Sequence, residues 1–254
     1  MSKYINTHSL DIECIKSQVE NKGYSIVQNV VDTAYLDLQR TRWEAKVNSK
    51  KDLNKFVRGN LIFGEKNFLS FSHIPKWHLY RYYEFLWNKT DDPDSLEVHM
   101  QLNKVRNLIK GDDSRKGITL NDDCYGVYIS TSLYHNEGFL HAHADGHGKD
   151  PILHYMLPLT FKGSGFMDGG LVVWDKEDNK IMVEEIISEG SVIFFDGRQK
   201  HEVEKISTND NQLGRLASFA IPCYFEKDAQ MALFKRGLKI RLDEIKNRIN
   251  SVFN

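Results

Sequence analysis

The feature that most constrains the fold is a succession of short, strand-like runs between residues 124 and 225, separated by turn residues. β-Branched and aromatic side chains are frequent in these runs, and such side chains favour extended backbone. A chain with many short strands and frequent turns is typical of an all-β barrel or sandwich. The predicted strands are Tyr125–Tyr134, Phe139–Asp145, Ile152–Phe161, Gly170–Asp175, Lys180–Ile187, Ser191–Phe195, His201–Ile206 and Leu216–Phe225.

Helical patterns precede this β-rich region, and residues 1–123 are predicted to be mainly helical. Ser9 is a candidate N-cap for a first helix that ends near Gly23. Asp92 and the proline after it are typical of a helix start, and Gly111 is placed to end that helix. We therefore expect an N-terminal set of helices that packs on the barrel.

The segment from Trp77 to Trp87 is dense in aromatic residues and contains Arg81. It predicts a helix buried on several sides, because apolar stripes usually pack in a core. The alternative is a wall or lid in which Trp77 and Arg81 contact the substrate. At the other end of the chain, residues 226–254 carry an apolar stripe at helical spacing, which predicts a C-terminal helix on the barrel. The whole chain, 1–254, is expected to form one domain.

The composition argues against nucleic-acid and membrane proteins. The 254 residues carry a formal net charge of −1, whereas nucleic-acid-binding proteins usually have a basic excess. The sequence has no apolar run of the roughly 20 residues that a bilayer-spanning helix needs, and no signal-peptide core at its start. Its three cysteines show no repeated spacing, which indicates reduced thiols. We therefore expect a cytoplasmic monomer or homodimer.

The stretch His141–His147 holds the densest set of metal-binding side chains. Residues two apart on a strand point to the same face, so His141, His143 and Asp145 can share one surface. A histidine and a carboxylate at this spacing can bind one metal ion from one side and leave other positions open. His141 and His147 are interpreted as solvated residues or as partners of the ligands.

A third ligand is expected from His201, which opens a strand after an apolar strand and a turn. The chain between Asp145 and His201 is long enough for several strands that return His201 to the pair. Two histidines and one carboxylate with open positions form the ligand set of non-haem Fe(II) oxygenases. The sequence therefore predicts that His143, Asp145 and His201 bind Fe(II) and are the catalytic residues.

Arg215 begins the last predicted strand. A fixed cation one strand from the metal suits the distal carboxylate of 2-oxoglutarate, through a planar two-point contact. Arg198, in the turn before His201, is the second candidate for this contact.

Taken together, these motifs resemble the prolyl-hydroxylase-like branch of the Fe(II)- and 2-oxoglutarate-dependent oxygenases. The resemblance covers about residues 125–225. It implies an α+β fold with a double-stranded β-helix core, jelly-roll or cupin-like, at 124–225 and helices packed on it. The segments that carry it are Tyr134–Asp145, Leu153–Leu157, Gly169–Val173, Phe194–Val203 and Gly214–Arg215.

The resemblance also implies roles for individual residues. Tyr155 and Tyr134 correspond to tyrosines near the cosubstrate, with Tyr155 on its distal carboxylate, and Arg215 corresponds to the basic anchor. The chain departs from the family pattern at Ala217, where a serine is common, and Ser218 is expected on the opposite strand face.

The activity implied is hydroxylation of an unactivated C–H bond by O2, with decarboxylation of 2-oxoglutarate to succinate and CO2. The preferred substrate is a small polar metabolite such as an amino acid, with Arg81, His141 and Trp77 as candidate contacts. Three alternatives stay open: a hydroxylase of protein side chains, a cupin-type enzyme that binds metal through His141, His143 and His201, and a non-catalytic binding barrel.

Overall fold

The computed structural model describes residues 3–48, 68–72, 79–85, 92–118, 125–145 and 152–224. Within these ranges the α-helices are α1 (Ile12–Lys22), α2 (Thr33–Asn48) and α3 (Pro93–Lys110). The strands are β1 (Tyr24–Val27), β2 (Phe68–Ser72), β3 (Leu79–Phe85), β4 (Tyr125–Tyr134), β5 (Leu140–His143), β6 (Leu153–Pro158), β7 (Asp168–Trp174), β8 (Lys180–Met182), β9 (Val192–Asp196), β10 (His201–Ser207) and β11 (Arg215–Tyr224).

The strands form two sheets in which the paired strands run antiparallel. The larger sheet has the order β1-β9-β6-β11-β4-β3-β2, and the smaller sheet has the order β5-β10-β7-β8. The sheets pack face to face through an apolar cluster in which Met156, Ile193 and Phe195 of the larger sheet meet Leu171 and Val173 of the smaller. This arrangement is the double-stranded β-helix that the strand pattern and the resemblance predict.

The other face of the larger sheet is covered by the helices. Strand β6 is buried along its whole length because both of its faces are covered. Leu153, Tyr155 and Leu157 lie in the cluster shared with α1, α2 and α3, whereas Met156 lies between the sheets. Alternation along this strand therefore separates the residues that face the barrel interior from those that face the helices.

Local sequence signals explain most helix boundaries. At α3 the Asp92 side chain accepts a hydrogen bond from the Ser95 amide, and Gly111 ends the helix in the left-handed conformation, as predicted. At α1 the cap is Asp11, whose carboxylate accepts from the Cys14 amide, rather than Ser9. Among the described residues, none of the helices combines the length and the apolar character needed to span a bilayer.

The prediction of a helix in the aromatic segment is wrong, because Leu79–Phe85 forms strand β3. This strand pairs with β2 on one side and β4 on the other. Aromatic residues pack well on a pleated surface, and the long partner β4 offers an open backbone edge to pair with. Trp77, Trp87 and the helix expected at 226–254 lie outside the described residues.

Candidate metal centre

His143, Asp145 and His201 are brought together at one end of the smaller sheet. His143 ends β5, Asp145 follows two residues later, and His201 begins β10 directly opposite His143 in the antiparallel pairing. One potential ligand atom from each residue lies within 4.8 Å of the others. Two adjacent strands therefore bring two histidines and one carboxylate to one point.

The two histidines are oriented by their own backbones. His143 Nδ1 lies 2.9 Å from the carbonyl oxygen of His141, and His201 Nδ1 lies 2.9 Å from that of Gln199. A carbonyl oxygen only accepts hydrogen bonds, so each Nδ1 carries the proton. Nε2 is then the atom of each ring that can bind a metal, and it lies 3.7 Å (His143) or 3.6 Å (His201) from a carboxylate oxygen of Asp145. Two imidazole nitrogens and a carboxylate that converge in this way are a ligand set typical of a divalent metal ion.

Asp145 is held as an ionised ligand. Its amide donates to the carbonyl oxygen of Gly197 at 2.6 Å, which fixes the backbone beside the turn that leads to His201. Burial alone would raise the pKa of the Asp145 carboxyl, but the imidazoles of His154 and His201 outweigh burial and hold that pKa well below its usual range. A metal ligand must be deprotonated, so this environment favours ligation.

His154 is a functional neighbour that the sequence reasoning missed. It lies on β6 and is buried, with Nε2 3.0 Å from Asp145 Oδ2 and Nδ1 3.0 Å from the carbonyl oxygen of Ala220. The triad stands on the smaller sheet and His154 on the larger one, so this contact joins the sheets at the site. Knowing which face of β6 points inward would have identified it, because His154 and Met156 share that face.

Arg215 lies on the inner face of the larger sheet, directly opposite Tyr134 of β4. It is buried, and its Nε donates to Glu184 Oε1 at 2.6 Å while Nη2 lies 3.4 Å from Met156 Sδ. Met156 stands two residues along β6 from His154, which corresponds to about 7 Å of strand. One strand therefore carries a contact to the triad and a contact to the Arg215 guanidinium on the same face.

Tyr134 is buried in a cluster with Phe166, Val203 and Ile206, which bring β4 and β10 together inside the barrel. In antiparallel pairing, residues directly opposite each other share a face. The Tyr134 side chain therefore belongs to the same surface as Arg215, where the resemblance places it.

Tyr155 does not join the site, and its expected contact with the cosubstrate is corrected. It lies between His154 and Met156 on β6, so its side chain points to the helix-covered face. Its hydroxyl lies 3.0 Å from His99 Nδ1 and donates to the His99 carbonyl oxygen at 3.2 Å. Burial raises the pKa of the Tyr155 hydroxyl well above its usual range. The side chain anchors α3 to the larger sheet.

Two further candidates, His141 and Arg198, have side chains at the surface. His141 is exposed beside Phe139, with ring centroids 4.8 Å apart, and lines a shallow surface depression. Arg198 pairs with Asp196 at the surface and does not replace Arg215. Arg81 belongs to β3, of which the backbone alone is described, and Trp77 and His147 lie outside the described residues. Ser218 bonds Thr131 at 2.7 Å on the outer face of the sheet, as predicted.

No family model and no curated protein matches this sequence. Solved structures do match. A prolyl-4-hydroxylase from Pseudomonas putida superposes with a TM-score of 0.56 at 14% identity, over 82% of this chain and 96% of that one. The epimerase SnoN from nogalamycin biosynthesis, in complex with Fe3+, alpha-ketoglutarate and nogalamycin RO, gives 0.52 at 11% identity, over 84% and 83%.

A prolyl hydroxylase from Trichoplax adhaerens, in complex with a peptide fragment of hypoxia inducible factor, gives a TM-score of 0.50 at 12% identity. It covers 87% of this chain and 91% of that one. The Trichoplax structure contains a peptide and the SnoN complex contains small molecules, so similar folds accommodate ligands of both kinds. The chain has the fold of the Fe(II)- and 2-oxoglutarate-dependent oxygenases, including their prolyl-hydroxylase-like branch.

Proposed function

We propose that this protein is an Fe(II)- and 2-oxoglutarate-dependent oxygenase that hydroxylates an unactivated C–H bond of a small polar metabolite. The observation that carries the proposal is the convergence of His143, Asp145 and His201, with both histidine Nε2 atoms turned toward the Asp145 carboxylate. When bound, Fe(II) and 2-oxoglutarate would supply the oxidation of the C–H bond by O2, with succinate and CO2 as the other products.

The protein's own contribution would be binding, orientation and exclusion of water. The three ligands would hold the metal from one side, and the carbonyl oxygens behind the two histidines would keep their rings from turning. Arg215 would bind the distal carboxylate of 2-oxoglutarate from a buried position, where a charged hydrogen bond is stronger than in water. Tyr134, on the same face, is proposed to line this pocket.

The substrate class is inferred from the surroundings of the site rather than from a bound ligand. The near-neutral charge of the chain gives no support for a nucleic-acid substrate. A small metabolite is proposed because β2 and β3 extend the larger sheet beyond β4, and Arg81 is a candidate contact on β3. Hydroxylation of a protein side chain is the second candidate, favoured by the peptide complex of the Trichoplax structure. A cytoplasmic monomer or homodimer is the proposed working form.

Titration of the protein with Fe(II) and 2-oxoglutarate under nitrogen tests the proposal. We expect a weak visible charge-transfer band that needs both additions and disappears in His201→Ala, because that variant lacks one ligand. His141→Ala is the matched control, because it removes a nearby exposed histidine. A band that survives in His201→Ala but is lost in His141→Ala would support the cupin-type set. Absence of Fe(II) binding in the wild-type protein would support the binding barrel.

The substrate class needs a separate measurement. Metabolite and peptide collections can be screened for compounds that increase succinate formation over the uncoupled rate. We expect polar metabolites, amino acids among them, to stimulate succinate formation more than proline-containing peptides. Stimulation by peptides alone would replace the metabolite with a protein substrate and leave the oxygenase assignment intact.

A further inference from the structure

Glu184 places a buried carboxylate on the cation that is proposed to bind the cosubstrate. It belongs to the 3-10 turn Val183–Glu185 that follows β8. Its Oε1 accepts from Arg215 Nε at 2.6 Å and from the Leu171 amide at 3.0 Å, and each charged side chain is only 2% exposed. An ion pair this deeply buried keeps little of the solvent screening that weakens surface pairs.

The backbone of β7 is shaped to admit this carboxylate. Gly170 has a φ of +127°, and a Cβ at that position would lie 2.1 Å from Glu184 Cγ. A side chain at residue 170 would therefore occupy the space that Glu184 uses. The Gly169-Gly170 segment, which resembles a family motif, thus makes room for a residue that the motif itself does not include.

Glu184 uses only part of the guanidinium. It contacts Nε, and Met156 lies beside Nη2, while Nη1 has no hydrogen-bond partner among the described residues. Glu184 Oε2 is buried and also lacks a hydrogen-bond partner in the described part of the chain. An unsatisfied carboxylate oxygen of this kind costs stability, so the pair is not arranged for stability alone. Nη1, beside the Nη2 that contacts the Met156 sulfur, is therefore the donor through which a second carboxylate would bind.

We propose that Glu184 competes with the cosubstrate for Arg215 and holds cosubstrate affinity below the value that Arg215 alone would give. This inference rests on the proposed function. A second carboxylate on the same guanidinium is repelled by the first, and the two share one positive charge. Glu184 is thus a positioning and affinity-setting residue, which fixes the Nε edge of Arg215 and weakens its attraction for an anion at the other edge.

The test is calorimetric titration of 2-oxoglutarate into the Mn(II)-loaded protein under nitrogen, which measures binding without turnover. Glu184→Gln retains an oxygen that can accept from Arg215 and Leu171 but removes the charge. We expect its Kd for 2-oxoglutarate to fall roughly fivefold or more, the low end of the coupling typical between two sites. Glu185→Gln is the matched control, because Glu185 lies on the same turn but points outward to Lys162. It should bind 2-oxoglutarate as the wild type does.

A second ligand separates competition from a general change in the site. In 2-oxopentanoate a methyl group replaces the distal carboxylate, so its binding should be the same in the wild type and Glu184→Gln. Equal or weaker 2-oxoglutarate binding in Glu184→Gln overturns the proposal. If the glutamine variant does not fold, Glu184→Met removes the charge with an apolar side chain of similar length and carries the same comparison.

Arg215→Ala distinguishes failure of this inference from failure of the proposed function. Loss of 2-oxoglutarate affinity in Arg215→Ala, with no gain in Glu184→Gln, overturns only the competition. Unchanged affinity for 2-oxoglutarate in Arg215→Ala would show that Arg215 does not bind the cosubstrate. That result overturns the role of Arg215 in the proposed function and the competition as well. No binding to the Mn(II)-loaded wild type overturns both.

Discussion

Acidification gives a quantitative test of how α3 is held on the larger sheet behind the metal centre. His99 is buried on α3 with its Nδ1 3.0 Å from the Tyr155 hydroxyl, and its Nε2 has no hydrogen-bond partner among the described residues. Burial lowers the pKa of His99 from 6.5 to about 3, against the opposing attraction of the Asp92 carboxylate. The imidazole is therefore neutral in the folded protein at neutral pH.

The direction of the effect follows from which state binds the proton first. The pKa of His99 is lower in the folded than in the unfolded chain, so the unfolded chain is protonated first as the pH falls below 6.5. The stability associated with neutral His99 is complete above pH 6.5 and declines toward the folded pKa. At pH 5, about 1.5 units below the unfolded pKa, the loss is about 2 kcal/mol, since one unit corresponds to about 1.4 kcal/mol.

Urea unfolding at pH 7.5 and pH 5.0 measures this loss. We expect the free energy of unfolding of the wild type to fall by about 2 kcal/mol more than that of His99→Gln, which lacks the titrating group. Carboxylates that titrate in this range contribute equally to both proteins. His8→Gln, at an exposed histidine, is the matched control and should behave like the wild type. Equal losses in the wild type and His99→Gln would refute the reasoning.

Three further predictions concern the site. Tyr155→Phe should lower the free energy of unfolding by about 1 kcal/mol, because the buried hydrogen bond from its hydroxyl is lost. The calorimetric Kd for 2-oxoglutarate should stay unchanged, and weaker binding would show that Tyr155 lies in the cosubstrate pocket. Gly170→Ala should lower the free energy of unfolding in urea by about 2 kcal/mol or more, because the added methyl group displaces Glu184. Gly163→Ala, also at positive φ but with open space around it, should lower it by less. Equal losses in the two variants would mean that the Glu184 contact is unimportant. With Asp145 as a ligand, turnover of a screened substrate in excess chloride should give no chlorinated product by mass spectrometry, and a chlorinated product would remove Asp145 from the ligand set.

The triad could be predicted because its signals are local. A histidine and a carboxylate two apart at a strand end, and a histidine that opens another strand, are visible without knowing the strand order. The structure brings His143, Asp145 and His201 together as this pattern requires. The caps of α3 were predictable for the same reason, since Asp92 and Gly111 act on the backbone next to them.

Residues that reach the site from other elements could not be predicted in this way. Glu184 is one of two adjacent glutamates on a short turn, and Glu185 pairs with a surface lysine. Only the tertiary structure shows which of the two is buried. The motif position assigned Tyr155 to the site, but the residue of this strand that contacts Asp145 is His154. A one-residue difference in alignment is enough to move a side chain to the other face of a strand. In the aromatic segment, tertiary pairing with β4 overrode the helical interpretation.

Strand β6 links these observations, because its two faces serve the metal centre and the helices at once. On the inner face, His154 contacts Asp145 and Met156 contacts Arg215, so two residues of one strand touch the triad and the proposed anchor. On the outer face, Tyr155 between them is bonded to α3. Because β9 and β11 pair with β6 on either side, the strand keeps its place in the sheet without α3. Changes at Tyr155 should therefore act on the packing of α3, whereas changes at His154 and Met156 should act on the site.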